Sequence, residues 1–279
     1  MTAINMGRLA AQVIASGGEA QVIGVTSRGI FLALAQRVLF VSIEPWRGPL
    51  TINVDRSLVC LMGDRVRLSA TRLIFPAFEV DLSAAEVWQP SAPPITRTQV
   101  DQHEALKQLA SQVLGRRAPA GFSVLLPHLL DLPEKPALST SDAARLARLT
   151  QLREASRQQD FDQATVLIES LLGLGRGLTP SGDDVTIGWL LALRMNSQPA
   201  KSNALKRVVE LAYQRTTSIS ANLIECAANG EADERLINVL DHLASGTPGL
   251  EDCATGLLAW GESSGVDALI GMALALSAV

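Results

Sequence analysis

Residues 89–98, QPSAPPITRT, separate two stretches of chain whose apolar residues follow different periods. Before this Pro-rich segment they come in short runs: AQVIGVTS, GIFLALA, RVLFVSI, LTINV, DRVRLSA and RLIFPAFEVDL, all within residues 20–82. Runs this short and this rich in Val, Ile, Leu and Phe are strand material. Ser27, Arg28 and Gly29 form a hairpin connection, and SLVCLMGDRVRLSATRLIF repeats the strand–turn–strand logic with Gly63-Asp64 and Ala70-Thr71 as turns. After the break the spacing becomes helical. TRTQVDQHEALKQLASQVLG ends on a Gly in the stop position. SDAARLARLTQLREASRQQ, DFDQATVLIESLLG, NALKRVVELAYQRTTSISANLIECAANG, ADERLINVLDHLAS, LEDCATGLLAWG and SGVDALIGMALALSAV continue it. The last is apolar on most sides, which puts it at the centre of a bundle. The expectation is an α+β protein: a small N-terminal β-rich, barrel-like domain over residues 1–92 with a leading helix, then a mostly α-helical bundle domain over 96–279.

Composition narrows the functional classes. The net charge is −4, with no run of Lys and Arg, so no nucleic-acid partner is expected. No apolar stretch reaches the roughly 18–20 residues of a membrane span, so no membrane partner is expected either. The N-terminal MTAINMGRLAAQVIASGG has an apolar run broken by Gln12, and Ile4, Leu9, Val13 and Ile14 share a helical face, which reads as a helix rather than a signal peptide. The three cysteines and three histidines are scattered, with no pair at disulfide or zinc spacing, so buried thiols in a reducing cytoplasm are the expectation.

The densest chemistry lies in GLGRGLTPSGDD, residues 173–184, which runs directly into the apolar VTIGWLLALRM. Helix capping accounts for part of it. Ser181 with Asp184 fits a capping box, or Thr179 caps and Pro180 takes the first helical position. Capping does not explain glycines at alternate positions 173, 175 and 177, which permit positive φ and close backbone approach to a ligand. A Gly-rich loop opening a helix is an anion site. The adjacent carboxylates of Asp183 and Asp184 would repel a bare phosphate, so three arrangements remain open. Mg²⁺ could bridge acids and phosphate. Arg176 could hold the anion. Or the acids could accept hydrogen bonds from an amide or ammonium group of the ligand. The motif is neither a dinucleotide fingerprint nor a Walker A loop.

Two further hydroxyl-rich entrances follow. TTSISANL, residues 216–223, offers Ser218, Ser220 and Asn222. GESSGVDALIG, residues 261–271, repeats the first motif in miniature, and Ser264-Gly265-Val266-Asp267 again fits the capping pattern. Helix starts of this kind, gathered at one end of a bundle, would line a pocket with N–H groups, hydroxyls and carboxylates. The candidate catalytic residues are therefore Asp183, Asp184 and Asp267. The candidate substrate-binding residues are Gly175, Arg176, Gly177, Thr179, Ser181, Gly182, Ser218, Ser220, Asn222, Ser263, Ser264 and Gly265.

GLGRGLTPSGDDVTIG, then TSISANL, then GESSGVDALIG resembles the AllH-type family, subunits of oxamate carbamoyltransferase from allantoin breakdown; the resemblance covers roughly residues 165–275. It implies the reaction of oxalurate with phosphate to give oxamate and carbamoyl phosphate. It also implies FdrA-type and AllG-type partner subunits and a small anionic ureido substrate. It supplies no catalytic residues, so the candidates above rest on the motifs. On this reading the acids accept hydrogen bonds from the carbamoyl NH₂ while Arg176 and the loop amides face phosphate or a carboxylate. Two other functions fit the residues: a Mg²⁺-dependent phosphoryl-transfer or hydrolytic enzyme, and a non-catalytic scaffold or regulatory subunit. No cofactor is firmly indicated, and Mg²⁺ is the one the acids would suit.

Overall fold

The computed structural model describes residues 1–91, 94–116, 118, 120–195 and 201–276. They fall into two compact units: residues up to 91 together with Glu231–Glu234, and the remainder.

The first unit is a nine-stranded sheet in the order β8-β7-β6-β2-β3-β4-β5-β1-β9. Its strands are β1 (Ala3–Gly7), β2 (Gly18–Thr26), β3 (Gly29–Leu34), β4 (Arg37–Ser42), β5 (Thr51–Val54), β6 (Arg65–Ser69), β7 (Arg72–Ile74), β8 (Glu79–Asp81) and β9 (Glu86–Trp88). The sheet curls into a half-barrel, and its far strand returns to the chain start through a Thr2–Asp81 bridge. Alternation drives the curl: Val22, Leu32, Leu39, Ile52, Val66, Leu73 and Val80 all face a common interior and are buried. Gly29 closes the β2–β3 hairpin at φ 156°, where a Cβ would overlap the Val41 carbonyl. The Arg8–Glu231 and Arg47–Glu234 pairs tie Glu231–Glu234 to this unit.

Two expectations here need correction. The N-terminus is not helical from its start: residues 3–7 form β1, and only α1 (Arg8–Ser16) is a helix. Ile4 accordingly leaves the proposed helical face and is exposed, while Ile14 is buried. The SLVCLM run is not a strand either. Val59, Leu61 and Met62 are all exposed in a loop, because no neighbouring strand supplies the pairing that would bury them.

The second unit is helical, with α2 (Gln99–Leu114), α3 (Leu126–Leu129), α4 (Thr140–Arg157), α5 (Phe161–Glu169), α6 (Ser181–Met195), α7 (Lys201–Arg215), α8 (Ser218–Ala228), α9 (Glu234–Ser245), α10 (Leu250–Ala259) and α11 (Ser264–Leu276). The fold class is thus α+β, as the two periods require. Local signals set several of these boundaries. Thr98 and Asp101 form a reciprocal capping box at α2. Ser139 and Asp160 cap α4 and α5. The long NALKRVVELAYQRTTSISANLIECAANG stretch breaks into α7 and α8 at Thr216-Thr217, because the Thr217 hydroxyl accepts from the Ser220 N–H and starts a new helix.

At the centre lie α6 and α11, and α11 is buried along its entire length. Glycine makes their close approach feasible. A Cβ on Gly188 would overlap the Ala268 carbonyl, and one on Gly271 would overlap the Val185 carbonyl. Gly182 and Gly265 approach the carbonyls of Leu171 and Leu257 in the same manner. The fully buried Trp189 is anchored by its indole N–H donating 2.8 Å to Ser156 Oγ.

Candidate functional site

Both motifs open the two central helices, and their contacts are reciprocal. Ser181-Gly182-Asp183-Asp184-Val185-Thr186-Ile187-Gly188 aligns with Ser264-Gly265-Val266-Asp267-Ala268-Leu269-Ile270-Gly271, sharing Ser, Gly, Asp, Ile and Gly at matching places. Gly188 packs on Ala268 while Gly271, its equivalent, packs on Val185, the equivalent of Ala268. The serines cross in the same way: Ser181 lies against Asp267 and Ser264 against Asp184. These are the contacts a local twofold axis would place.

The capping readings do not hold. Helix α6 begins at Ser181, and the Pro180 carbonyl accepts the Asp183 and Asp184 N–H groups at 2.9 and 3.2 Å. Thr179 turns instead to Ser264, hydroxyl to hydroxyl at 3.2 Å. Asp267 Oδ1 accepts 2.8 Å from the Phe122 N–H, and its carboxyl also lies against the Ser181 and Ser263 hydroxyls.

The adjacent carboxylates have different environments. Asp183 Oδ1 accepts 2.8 Å from the Gly173 N–H, and its Oδ2 accepts from the Thr216 hydroxyl. It fastens the start of the Gly-rich loop to the α7–α8 junction. Burial pushes its pKa up, and the Gly173, Thr216 and Ser220 hydrogen bonds pull it back. Asp184 is also fully buried, but neither of its oxygens has a hydrogen-bond partner. Burial drives its pKa well above the usual carboxylate range. The nearby charges of Asp267 and Asp183 add to this, and the Ser264 and Thr179 hydroxyls partly offset it. Asp267, at 0% exposure, is pushed up to about 6 by burial, and its Oδ2 is unpartnered. Gly121 is required beside it, since a Cβ there would overlap Asp267 Oδ2.

The candidates therefore separate by depth. Asp183, Asp184, Asp267, Ser181, Ser220, Asn222 and Ser264 are buried; Ser263 and Thr179 are half-buried. Gly175, Arg176 and Gly177 are exposed, as is Leu178. Gly175 and Gly177 hold φ of 131° and 99°, and a Cβ on Gly175 would press on the Ser181 N–H at 2.6 Å. Among the described residues, the N–H groups of Gly175, Arg176, Gly177 and Leu178 have no acceptor. Exposed amides without acceptors, next to glycines of positive φ, are groups able to donate to an anion. Arg176 has no ion-pair partner among the described residues. Gly182 and Gly265 serve helix packing, as described above. Ser218 is exposed and accepts through its backbone carbonyl from Asn222 Nδ2 at 2.9 Å.

Sequence reasoning missed Thr216, which anchors Asp183, and the Gly121-Phe122 segment that closes over Asp267. Nothing local in the sequence signals that segment. The Ile-Gly ending shared by both motifs marks the helix crossing, since Gly188 and Gly271 are its two close-approach glycines. For a metal, the described residues contain no group of three or more His, Cys, Asp or Glu side chains placed to hold one.

Residues 171–276 match the family model described as oxamate carbamoyltransferase subunit AllH. No solved structure matches the chain significantly. The matched segment holds the Gly-rich loop, Thr216–Asn222, Ser263–Asp267 and both crossing helices. Over residues 171–276 the chain is AllH-like, similar to the oxamate carbamoyltransferase subunit after which that family is described.

Proposed function

We propose that this protein is a subunit of a carbamoyltransferase complex, in which oxalurate and phosphate give oxamate and carbamoyl phosphate during ureide nitrogen breakdown in the cytoplasm. One observation carries the reading: the matched segment contains an exposed loop, Gly175–Leu178, with positive φ at Gly175 and Gly177, whose amides have no acceptor and whose Arg176 has no ion-pair partner among the described residues. Phosphate, carbamoyl phosphate and the oxalurate carboxylate are all oxyanions, and such a loop suits them. Asp183 acts as a positioning residue by holding Gly173. Partner subunits of the FdrA and AllG types complete the site, which accords with a ligand loop that lies open rather than in an enclosed cavity.

No covalent nucleophile is required, since phosphate attacks the carbamoyl carbon directly. The loop amides would stabilise charge that builds up on the carbamoyl oxygen. The test is phosphorolysis of oxalurate by the co-purified complex, followed as carbamoyl phosphate formed. Arg176→Ala is expected to raise KM for phosphate or oxalurate at least tenfold, the loss of about 1.4 kcal/mol of charge-assisted binding. A complex that turns over normally with this variant would remove the loop from the reading.

A further inference from the structure

Gly173, Gly175 and Gly177 give their loop wide backbone freedom, and a loop that must be ordered around its ligand loses affinity. Both ends of this loop are tied to one place, the Thr216-Thr217 step between α7 and α8. At the first end, the Thr216 hydroxyl donates to Asp183 Oδ2, and Asp183 Oδ1 accepts from the Gly173 N–H at 2.8 Å. Gly173 also packs on the backbone there: a Cβ on it would lie 2.8 Å from the Arg215 carbonyl oxygen. At the other end, the Thr217 hydroxyl donates to the Leu178 carbonyl at 2.8 Å. The buried Ser220 hydroxyl stands 3.5 Å from the same carbonyl. Thr217 Oγ1 in turn accepts from the Ser220 N–H at 3.1 Å, so one hydroxyl both starts α8 and holds the loop.

Carbonyls, rather than amides, take the bonds that flank the loop centre. The Leu174 carbonyl accepts from the Gly182 N–H at 2.9 Å, and the Leu178 carbonyl accepts from Thr217. The N–H groups between them, from Gly175 to Leu178, have no acceptor among the described residues. A carbonyl oxygen that swung toward those amides would repel an anion bound there, and the Thr217 hydroxyl holds the Leu178 oxygen on α8 instead.

We propose that Thr217 is a positioning residue for the oxyanion loop: through the Leu178 carbonyl it keeps the Gly175–Leu178 amides arranged for an anion before the anion arrives. Thr216 does the same for the loop start, through Asp183 and Gly173. The inference rests on the oxyanion reading of this loop for its use, but the tether itself does not. Thr217 touches no reacting atom. Its hydroxyl removes ordering that binding would otherwise require, so its loss appears in affinity and KM and not in kcat.

The test is inorganic phosphate titrated into the ¹⁵N-labelled full chain, read at the Gly175, Arg176 and Gly177 amides. In wild type these amides are expected to shift saturably. Thr217→Val keeps the size and removes the hydroxyl, and should weaken the apparent affinity about fivefold, the weight of one hydrogen bond. Thr217→Ser restores the hydroxyl and should stay within about twofold of wild type. Ser139→Ala removes a comparable cap from α4, and should lower the melting temperature while leaving phosphate affinity unchanged. In the assembled complex, Thr217→Val should raise KM for phosphate by the same factor as the affinity loss, with kcat unchanged. Equal affinity in wild type and Thr217→Val overturns the proposal. So does a Thr217→Ser or a Ser139→Ala variant that binds as weakly as Thr217→Val. Phosphate that shifts none of these amides, in the chain or in the complex, overturns it together with the oxyanion reading of the loop. A tether that behaves as expected in a complex making no carbamoyl phosphate leaves the role of Thr217 standing and overturns the transferase reading alone.

Discussion

Asp183 and Asp184 are neighbours in sequence, yet one is fully hydrogen-bonded and the other not at all. This difference predicts opposite mutational outcomes. Asp183→Ala leaves both the Gly173 N–H and the Thr216 hydroxyl without their acceptor, so stability should fall by about 1–3 kcal/mol, measured by denaturant unfolding. Asp184→Asn removes an uncompensated buried acid and should raise stability at pH 8. The sign for Asp267 follows from its raised pKa of about 6 against an ordinary 3.8. Its protonated form is the one the folded state favours, so this contribution is complete below about pH 4 and lost as pH rises through about 6. Asp267→Asn should therefore stabilise the protein at pH 8 by up to about 3 kcal/mol and have little effect at pH 4, read from melting curves at the two pH values. The sequence showed that acids stood at helix entrances. It could not separate these roles, because Thr216, Phe122 and Ser264 arrive from distant positions.

At the level of elements, the crossing of α6 and α11 depends on two glycines. Gly188→Ala and Gly271→Ala should each cost about 3 kcal/mol or more, since the added methyl meets backbone carbonyls that belong to a packed helix. Chemical denaturation would detect it, and a variant as stable as the parent would mean that the helices part easily. The helices themselves were legible from period and Gly stops, whereas the Thr98-Asp101 box that starts α2 was passed over. TTSISANL read both as a helix entrance and as part of one continuous helical stretch, and the Thr217 hydroxyl capping the Ser220 N–H decides for the entrance. The short strands β1 and β9 escaped notice for a similar reason. Three to five residues carry too little alternation, and what fixes them is pairing, β1 with β9 in parallel and with β5 antiparallel. SLVCLM failed the other way: apolar content alone does not make a strand without a partner edge.

Over the whole molecule, a half-barrel of β-strands and a helical unit meet their separate periods in sequence, while the family match lies within the helical unit, over residues 171–276. The loop proposed to bind ligand lies within that matched segment. The first measurement is a thermal titration of the full chain with carbamoyl phosphate and with oxalurate, in wild type and in Arg176→Ala, with melting temperature as the readout. The account predicts a saturable rise with both ligands in wild type and an apparent affinity at least tenfold weaker in the variant. The same saturable rise in Arg176→Ala would contradict it, as would the absence of any rise in both the chain and its assembled complex.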